Sequence, residues 1–100
     1  MSMRSAIACG LLGLGAAAAF AADIGQDTAR RLRQEGKIVP LGDIVAEITQ
    51  RWPGRVIETE LERDDGRYVY EIELLGDDGH VYEFEYDAGT GRRLGFERER

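Results

Sequence analysis

The sequence has a single cysteine, Cys9, and it lies inside an apolar segment near the amino terminus. Beyond that segment the chain contains neither cysteine nor serine. Disulfide bonds, thiolate metal sites and the common thiol and hydroxyl nucleophiles other than threonine are therefore excluded from the rest of the chain. A domain built from these residues must be stabilised by packing and hydrogen bonding alone.

Histidine and phosphate-binding motifs are equally scarce. His80 is the only histidine, and it falls in a predicted turn, where we expect a polar loop residue and not a general base or a metal ligand. No glycine-rich phosphate-binding loop follows a predicted strand. Paired carboxylates serve acid–base catalysis only in a cleft that separates their pKa values, and the predicted sheet offers no such cleft. The sequence thus predicts a protein that is not an enzyme and binds no cofactor.

Basic residues are fewer than acidic ones: the sequence has 13 lysines and arginines, 19 aspartates and glutamates, and a formal net charge of -6. Removal of an amino-terminal leader that contains Arg4 would leave about -7. A chain with this balance is repelled by phosphate backbones and by anionic lipid headgroups. We therefore expect no nucleic-acid partner and no binding to an anionic membrane surface.

Residues 1–21 have the pattern of a cleavable signal peptide. Arg4 provides the positive charge, an apolar stretch follows, and Ala19-Phe20-Ala21 satisfies the small-x-small rule of signal peptidase. We expect cleavage before Ala22, with cleavage before Asp23 as the alternative. The apolar stretch is rich in alanine and glycine and is short for a membrane span, which needs about 20 residues. The prediction is export to the periplasm or secretion, without membrane insertion after cleavage.

Residues 22–39 predict a first helix and an extended connector. The polar stretch 26–35 tolerates a helix, and Gly36 stands where a helix end is expected. Pro40 disfavours helical backbone at the residue before it, so the connector should be extended. A second helix, ending at Pro53-Gly54, is indicated by apolar residues at i, i+3, i+4, i+7 and i+11. These residues are Leu41, Ile44, Val45, Ile48 and Trp52.

The remaining sequence alternates apolar and polar residues with period two, which is typical of strands with one buried face. The apolar positions of three strands are Ile57, Thr59 and Leu61; Tyr68, Tyr70, Ile72 and Leu74; and Tyr82, Phe84 and Tyr86. Leu94 and Phe96 indicate a short fourth strand at an edge, where they extend the core, and residues 97–100 are expected to fray. The predicted fold is α+β: an N-terminal helix or helices packed on one face of a three- to four-stranded antiparallel meander sheet.

Two turns set the register of the predicted sheet. Asp65-Gly66 is typical of a two-residue type I′ turn, and Asp77-Asp78-Gly79 suits a three-residue loop with its glycine in the left-handed conformation. A two-residue turn at Asp78-Gly79 would instead place Leu74 opposite Glu83 and mix the two faces. The preferred turns predict these opposed pairs: Leu61 with Tyr70, Thr59 with Ile72, Ile57 with Leu74, Leu74 with Tyr82, and Ile72 with Phe84.

The same register places like charges opposite one another on the other face of the sheet. One cross-strand row consists of Glu58, Glu73 and Glu83, and a second consists of Glu60, Glu71 and Glu85. Opposed like charges destabilise a sheet by a few tenths to about 1 kcal/mol per pair, less when salt and water screen them. Either this is a solvated face that keeps the protein soluble, or it binds a basic protein surface or a divalent cation. Because no closed calcium loop is present, cation binding through these six glutamates should be weak.

From Pro40 onward the sequence resembles the PepSY family of small domains, which occur in metallopeptidase propeptides and in short exported bacterial proteins. The resemblance rests on the helix around Ile44, the Pro53-Gly54-Arg55-Val56 entry to the first strand, the Gly66-Arg67-Tyr68-Val69-Tyr70-Glu71 strand and the Asp87-Ala88-Gly89-Thr90-Gly91 corner with Leu94. In that corner Asp87 and Thr90 can cap backbone groups and Gly91 can adopt a positive φ, so the motif is interpreted as a turn. Residues 40–96 are assigned to this PepSY-like domain.

The resemblance implies a non-catalytic module that regulates a partner near the cell envelope or inhibits a peptidase. No peptidase domain is recognisable in the sequence, so any peptidase target would be reached in trans. Three hypotheses follow. The chain is an exported regulatory or interaction module acting on an envelope protein, a trans-acting peptidase inhibitor that uses an exposed edge strand, or a weak binder of divalent cations.

Overall fold

The computed structural model describes residues 22–100, so the predicted signal peptide lies outside the described residues. The elements are β1 (Ala22–Asp23), α1 (Gln26–Gln34), α2 (Leu41–Arg51), β2 (Gly54–Asp64), β3 (Arg67–Gly76), β4 (Val81–Asp87) and β5 (Arg93–Arg98). The antiparallel sheet has the order β1-β2-β3-β4-β5. This confirms the predicted α+β fold, with the short strand β1 added at the outer edge of β2. Among the described residues, neither α1 nor α2 has the length and hydrophobicity of a transmembrane helix.

Helix α1 ends at a glycine, as the sequence predicts. Gly36 has a φ of 76°, and its N–H donates to the carbonyl of Arg33 while the N–H of Lys37 donates to the carbonyl of Leu32. These two bonds form a Schellman motif, which needs a left-handed residue and therefore favours glycine. The side chain of Leu32 is buried, so α1 reaches the core mainly through this one residue.

Helix α2 and the connector before it cover one face of the sheet. Ile44 and Ile48 are buried in a single apolar cluster with Ile72, Leu74 and Phe84 of the sheet. The hydroxyl of Tyr70 donates to the carbonyl of Val39 at 2.6 Å, and the N–H of Val39 donates to the carbonyl of Ala88 at 2.8 Å. The extended connector is thereby tied to both the sheet and the corner that follows β4.

Both hairpin turns have the predicted form. Asp65 and Gly66 have φ values of 58° and 80°, and a type I′ turn requires positive φ at both residues. Gly79 closes the three-residue loop with a φ of 87°. The predicted pairs Leu61 with Tyr70, Thr59 with Ile72, Leu74 with Tyr82 and Ile72 with Phe84 are confirmed.

Strand β2 contains a bulge that the predicted alternation does not include. The register shifts between Val56 and Glu58, so Val56 lies opposite Leu74. Ile57, which was predicted to occupy that place, is 42% exposed. The prediction was wrong because Val56 and Ile57 are adjacent apolar residues, and a bulge moves every earlier residue of the strand by one position.

The carboxyl end of the chain is paired and not frayed. Strand β5 continues through Arg98, the N–H of Glu99 donates to the carbonyl of Val81 at 2.7 Å, and the N–H of Val81 donates to the carbonyl of Arg100 at 2.8 Å. The predicted fourth strand is therefore present and longer than expected. Leu94 does not extend the core as predicted, because it lies at a register shift between β4 and β5 and is 43% exposed.

Candidate functional site

The register of the sheet brings the six predicted glutamates together. In the first row Glu58 lies opposite Glu73, which lies opposite Glu83, and in the second row Glu60 lies opposite Glu71, which lies opposite Glu85. Strand β5 extends the first row, because Glu97 lies opposite Glu83. We call these two rows the acidic face of the sheet.

The glutamates of the acidic face are more buried than charged side chains usually are. Glu73 and Glu83 are only 7% and 6% exposed, and the other four glutamates of the two rows are half-buried. The interpretation as a freely solvated face therefore does not describe these side chains. Burial disfavours a charged carboxylate, so the protonation state of this face depends on the packing around each residue.

Glu83 of the acidic face has a strongly raised pKa. Burial, followed by a hydrogen bond to Glu99 and repulsion from Glu71, Glu99 and Glu85, raises the pKa of Glu83 to about 9. Burial also raises the pKa of Glu85 above its usual value. At neutral pH Glu83 is accordingly protonated, and a proton relieves part of the repulsion that the sequence predicts between opposed glutamates.

Two groups of carboxylates on this sheet have the geometry to hold a cation. The carboxylate oxygens of Glu71, Glu83 and Glu85 lie within 4.8 Å of one another. A cavity of about 200 Å³ adjoins this group and is lined by Glu83, Glu85, Gly95, Phe96 and Glu97. Calcium takes six to eight oxygen ligands, and a protonated Glu83 would offer the ion less charge, so weak binding at neutral pH stays a prediction for these three carboxylates.

The second carboxylate group was not predicted from the sequence. Asp23, Glu60 and Glu62 come together at the other edge of the sheet, where Asp23 of β1 pairs with Glu62 of β2. A two-residue strand has no detectable alternation, so the sequence carries no signal that Asp23 joins the sheet.

The corner after β4 is built by the residues that carried the family resemblance. The side-chain oxygen Oδ1 of Asp87 accepts the N–H of Gly89 at 2.8 Å and the N–H of Thr90 at 3.1 Å. Oγ1 of Thr90 accepts the N–H of Arg92 at 3.2 Å, and Gly91 has a φ of 83°. The side chains of Asp87 and Thr90 satisfy backbone groups of the corner itself, so these residues act as a turn.

A patch of aromatic and arginine side chains at the β5 edge was missed in the sequence. The ring of Phe96 stacks on Trp52 at 5.5 Å and on Tyr82 at 5.7 Å between centroids. The guanidinium carbon of Arg93 lies 5.3 Å from the ring centre of Trp52 and 5.9 Å from that of Phe96. We call Trp52, Tyr82, Arg93 and Phe96 the β5 patch. The sequence offers one signal for this patch, which is Phe96 on the last predicted strand. The predicted helix ends at Trp52 and is too short to cover Phe96 completely.

Comparisons with known proteins identify the family of the chain. The sequence model of the PepSY family, described as the peptidase propeptide and YPEB domain, matches residues 38–97. The uncharacterized protein YkoJ of Bacillus subtilis (strain 168) is 46% identical over 39 residues, which is 39% of this chain and 23% of the YkoJ chain. The similar segment therefore spans about a quarter of that relative, and no solved structure matches the chain. Since the family's model matches more than half of the sequence, the chain belongs to the PepSY family.

Proposed function

We propose that the protein is a non-catalytic, exported regulatory or interaction module that acts on an envelope protein through the β5 edge of its sheet. The observation that carries the proposal is the exposure of β5. Every residue of this strand except Gly95 is exposed, and Leu94 and Phe96 are 43% and 45% exposed. An edge strand offers backbone donors and acceptors to another chain, and exposed apolar side chains on it add an attractive surface.

Two further observations support a binding role over a catalytic one. Residues 22–100 contain no cysteine or serine nucleophile, and His80 makes contacts expected of a loop residue. Its ring nitrogen Nδ1 lies 3.1 Å from the carbonyl oxygen of Arg100, and its backbone N–H donates to Oδ1 of Asp78 at 3.0 Å. These contacts join the β3–β4 loop to the carboxyl end of the chain and leave His80 a structural role.

Site-specific cross-linking in living cells tests the proposal. A photo-reactive amino acid replaces Leu94 on β5 in the full chain, and the matched control carries it at Gln50, an exposed residue of α2. We expect the Leu94 position, and not the Gln50 position, to capture the same envelope protein in repeated experiments. Capture of the same set of proteins from both positions, or of none from Leu94, would contradict the proposal.

A second candidate function is inhibition of a peptidase in trans, favoured by the description of the matching family as a peptidase propeptide domain. An edge strand can add to the sheet of a target, which is a common mode of peptide recognition. The purified protein at micromolar concentration should then lower the activity of a secreted metallopeptidase from the same cells, and Phe96→Ser should weaken the inhibition. Unchanged activity at saturating protein would remove this candidate.

A further inference from the structure

We propose that the β5 edge takes an extended acidic segment of its partner, which adds to the sheet as a further strand with an apolar side chain against the β5 patch. This inference rests on the proposed function and specifies the chemistry of the partner. Three features of the molecule support it: the backbone of β5, the apolar surface beside it, and the charges around it.

The backbone of β5 pairs with β4 along one side, and β5 is the last strand in the order of the described sheet. Alternate N–H and C=O groups of such a strand point away from the sheet. A strand of 6 residues is about 20 Å long at about 3.3 Å per residue, which is enough to pair with a segment of similar length. Backbone pairing gives affinity without sequence preference, so specificity must come from side chains.

The apolar part of the surface is the exposed side of the Phe96 ring. Phe96 contacts Trp52, Tyr82 and the buried Phe84, with its centroid 5.0 Å from that of Phe84, yet 45% of it remains exposed. A residue directly opposite Phe96 on an added strand would have its Cβ about 5 Å away. An aromatic or β-branched side chain at that place would cover the exposed part of the ring, because such pairs are the favourable ones across strands.

The charges around β5 favour carboxylates on the same face. Arg93 and Arg98 are exposed on β5, and Arg51 is exposed at the end of α2. None of the ion pairs formed within residues 22–100 includes these three arginines, and the one polar side-chain contact of Arg98 there is to Nε2 of His80 at 3.4 Å. Arginine binds carboxylates in a bidentate geometry, so an acidic segment would give these guanidinium groups the carboxylate partner that they lack within residues 22–100.

The opposite face of β5 sets a different requirement. Glu97 is exposed there and lies opposite Glu83 of the acidic face. Side chains of the added strand that point to this face would meet carboxylates and should be neutral or basic. The segment that fits is therefore alternating: acidic and apolar residues on the face of the β5 patch, neutral or basic residues on the other.

The test uses the protein purified after export from cells that express the full chain, labelled for nuclear magnetic resonance. The probe is a peptide of about eight residues in which threonine alternates with aspartate and valine, and the control peptide has lysine in place of aspartate. We expect the acidic peptide to shift the amide signals of residues 93–98 and the indole signal of Trp52. The lysine peptide should bind about tenfold more weakly or not at all.

Charge-reversal variants test whether Arg93 and Arg98 bind the acidic peptide. Arg93→Glu or Arg98→Glu should weaken binding of the acidic peptide about tenfold, and two variants are used in case one disturbs the strand. The matched control, Arg30→Glu on the exposed side of α1, makes the same charge change and should leave binding unchanged. Backbone amide spectra without peptide verify that each variant is folded.

The remaining outcomes overturn the inference. Stronger binding of the lysine peptide would show that the β5 edge takes a basic segment. Signal shifts confined to another surface would show that the peptide binds elsewhere. Concentration-dependent signals of β5 without peptide would show that a second copy of the chain occupies the edge. If neither peptide binds while Leu94 still captures an envelope protein in cells, the acidic segment is wrong and the proposed function stands. If both experiments fail, the proposed function fails with it.

Discussion

Glu83 shows how a single buried carboxyl group couples this fold to pH. Its pKa is raised to about 9, first by burial, whereas an unfolded glutamate titrates near its usual value. Between these two pKa values the folded protein binds a proton that the unfolded chain does not bind. The contribution of Glu83 to the free energy of unfolding therefore decreases as the pH rises from about 5 to 9.

Glu83→Gln should remove much of this pH dependence, since the amide keeps a hydrogen-bond donor for Glu99 and cannot ionise. At pH 8 we expect the variant to be more stable by at least about 1 kcal/mol, which corresponds to roughly 5 °C in Tm for a domain of this size. The control is Glu97→Gln, which removes a carboxylate from the same row at an exposed position. Thermal unfolding from pH 5 to 9 measures both, and equal slopes for the two variants would refute the assignment.

Asp87 gives a second expectation at the scale of one residue. Asp87→Ala removes the acceptor of two backbone N–H groups in the corner, and we expect a loss of about 1 to 2 kcal/mol in the free energy of unfolding. Asp77→Ala, in the exposed loop between β3 and β4, should change it by less than about 0.5 kcal/mol. Urea unfolding monitored by the fluorescence of Trp52 compares the two, and equal losses would show that Asp87 does not stabilise the corner.

At the scale of the elements, the sequence was sufficient wherever a local rule determines the conformation. Gly36 ends α1 and Asp65-Gly66 closes the first hairpin because only a few residue types tolerate the left-handed backbone there. Those turns, together with the alternation, determined the two glutamate rows. The bulge at Ile57 was not predictable in this way, because alternation does not reveal one extra residue in a strand.

The bulge makes a prediction that distinguishes the observed register from the continuous one. Val56→Ala should reduce the free energy of unfolding by about 1 kcal/mol, because Val56 packs against the core opposite Leu74. Ile57→Ala should have a smaller effect, below about 0.5 kcal/mol, although it removes more methylene groups. Chemical unfolding of the two variants measures both losses in the free energy of unfolding. A larger loss for Ile57→Ala than for Val56→Ala would support the register without a bulge.

The acidic face gives an expectation for divalent cations. The oxygens of Glu71, Glu83 and Glu85 lie close enough for an ion, and the proton on Glu83 competes with it. Millimolar calcium should therefore raise Tm by no more than about 2 °C at pH 7 and by clearly more at pH 9. Sodium chloride at matched ionic strength is the control. An equal effect of calcium and sodium at pH 9 would show that the acidic face does not bind the ion.

For the whole molecule, the acidic face and the β5 patch lie on different surfaces. The six glutamates of the acidic face lie on the side of the sheet opposite the helices, while Arg93 and Arg98 lie on β5 in register with Tyr86 and Tyr82. The sequence predicted the first surface, since both rows follow from register. It did not predict the second, because the contact of Trp52 with Phe96 depends on where α2 ends above the sheet and joins residues far apart in the chain.

We propose that a partner covers β5. Amide hydrogen exchange of the protein, measured with and without the envelope protein captured through Leu94, tests this proposal. We predict slower exchange for amides in residues 93–98 and little change in α1, α2 and the acidic face. Protection of the helices or of β2, with β5 exchanging as fast as in the free protein, would show that the partner covers another surface.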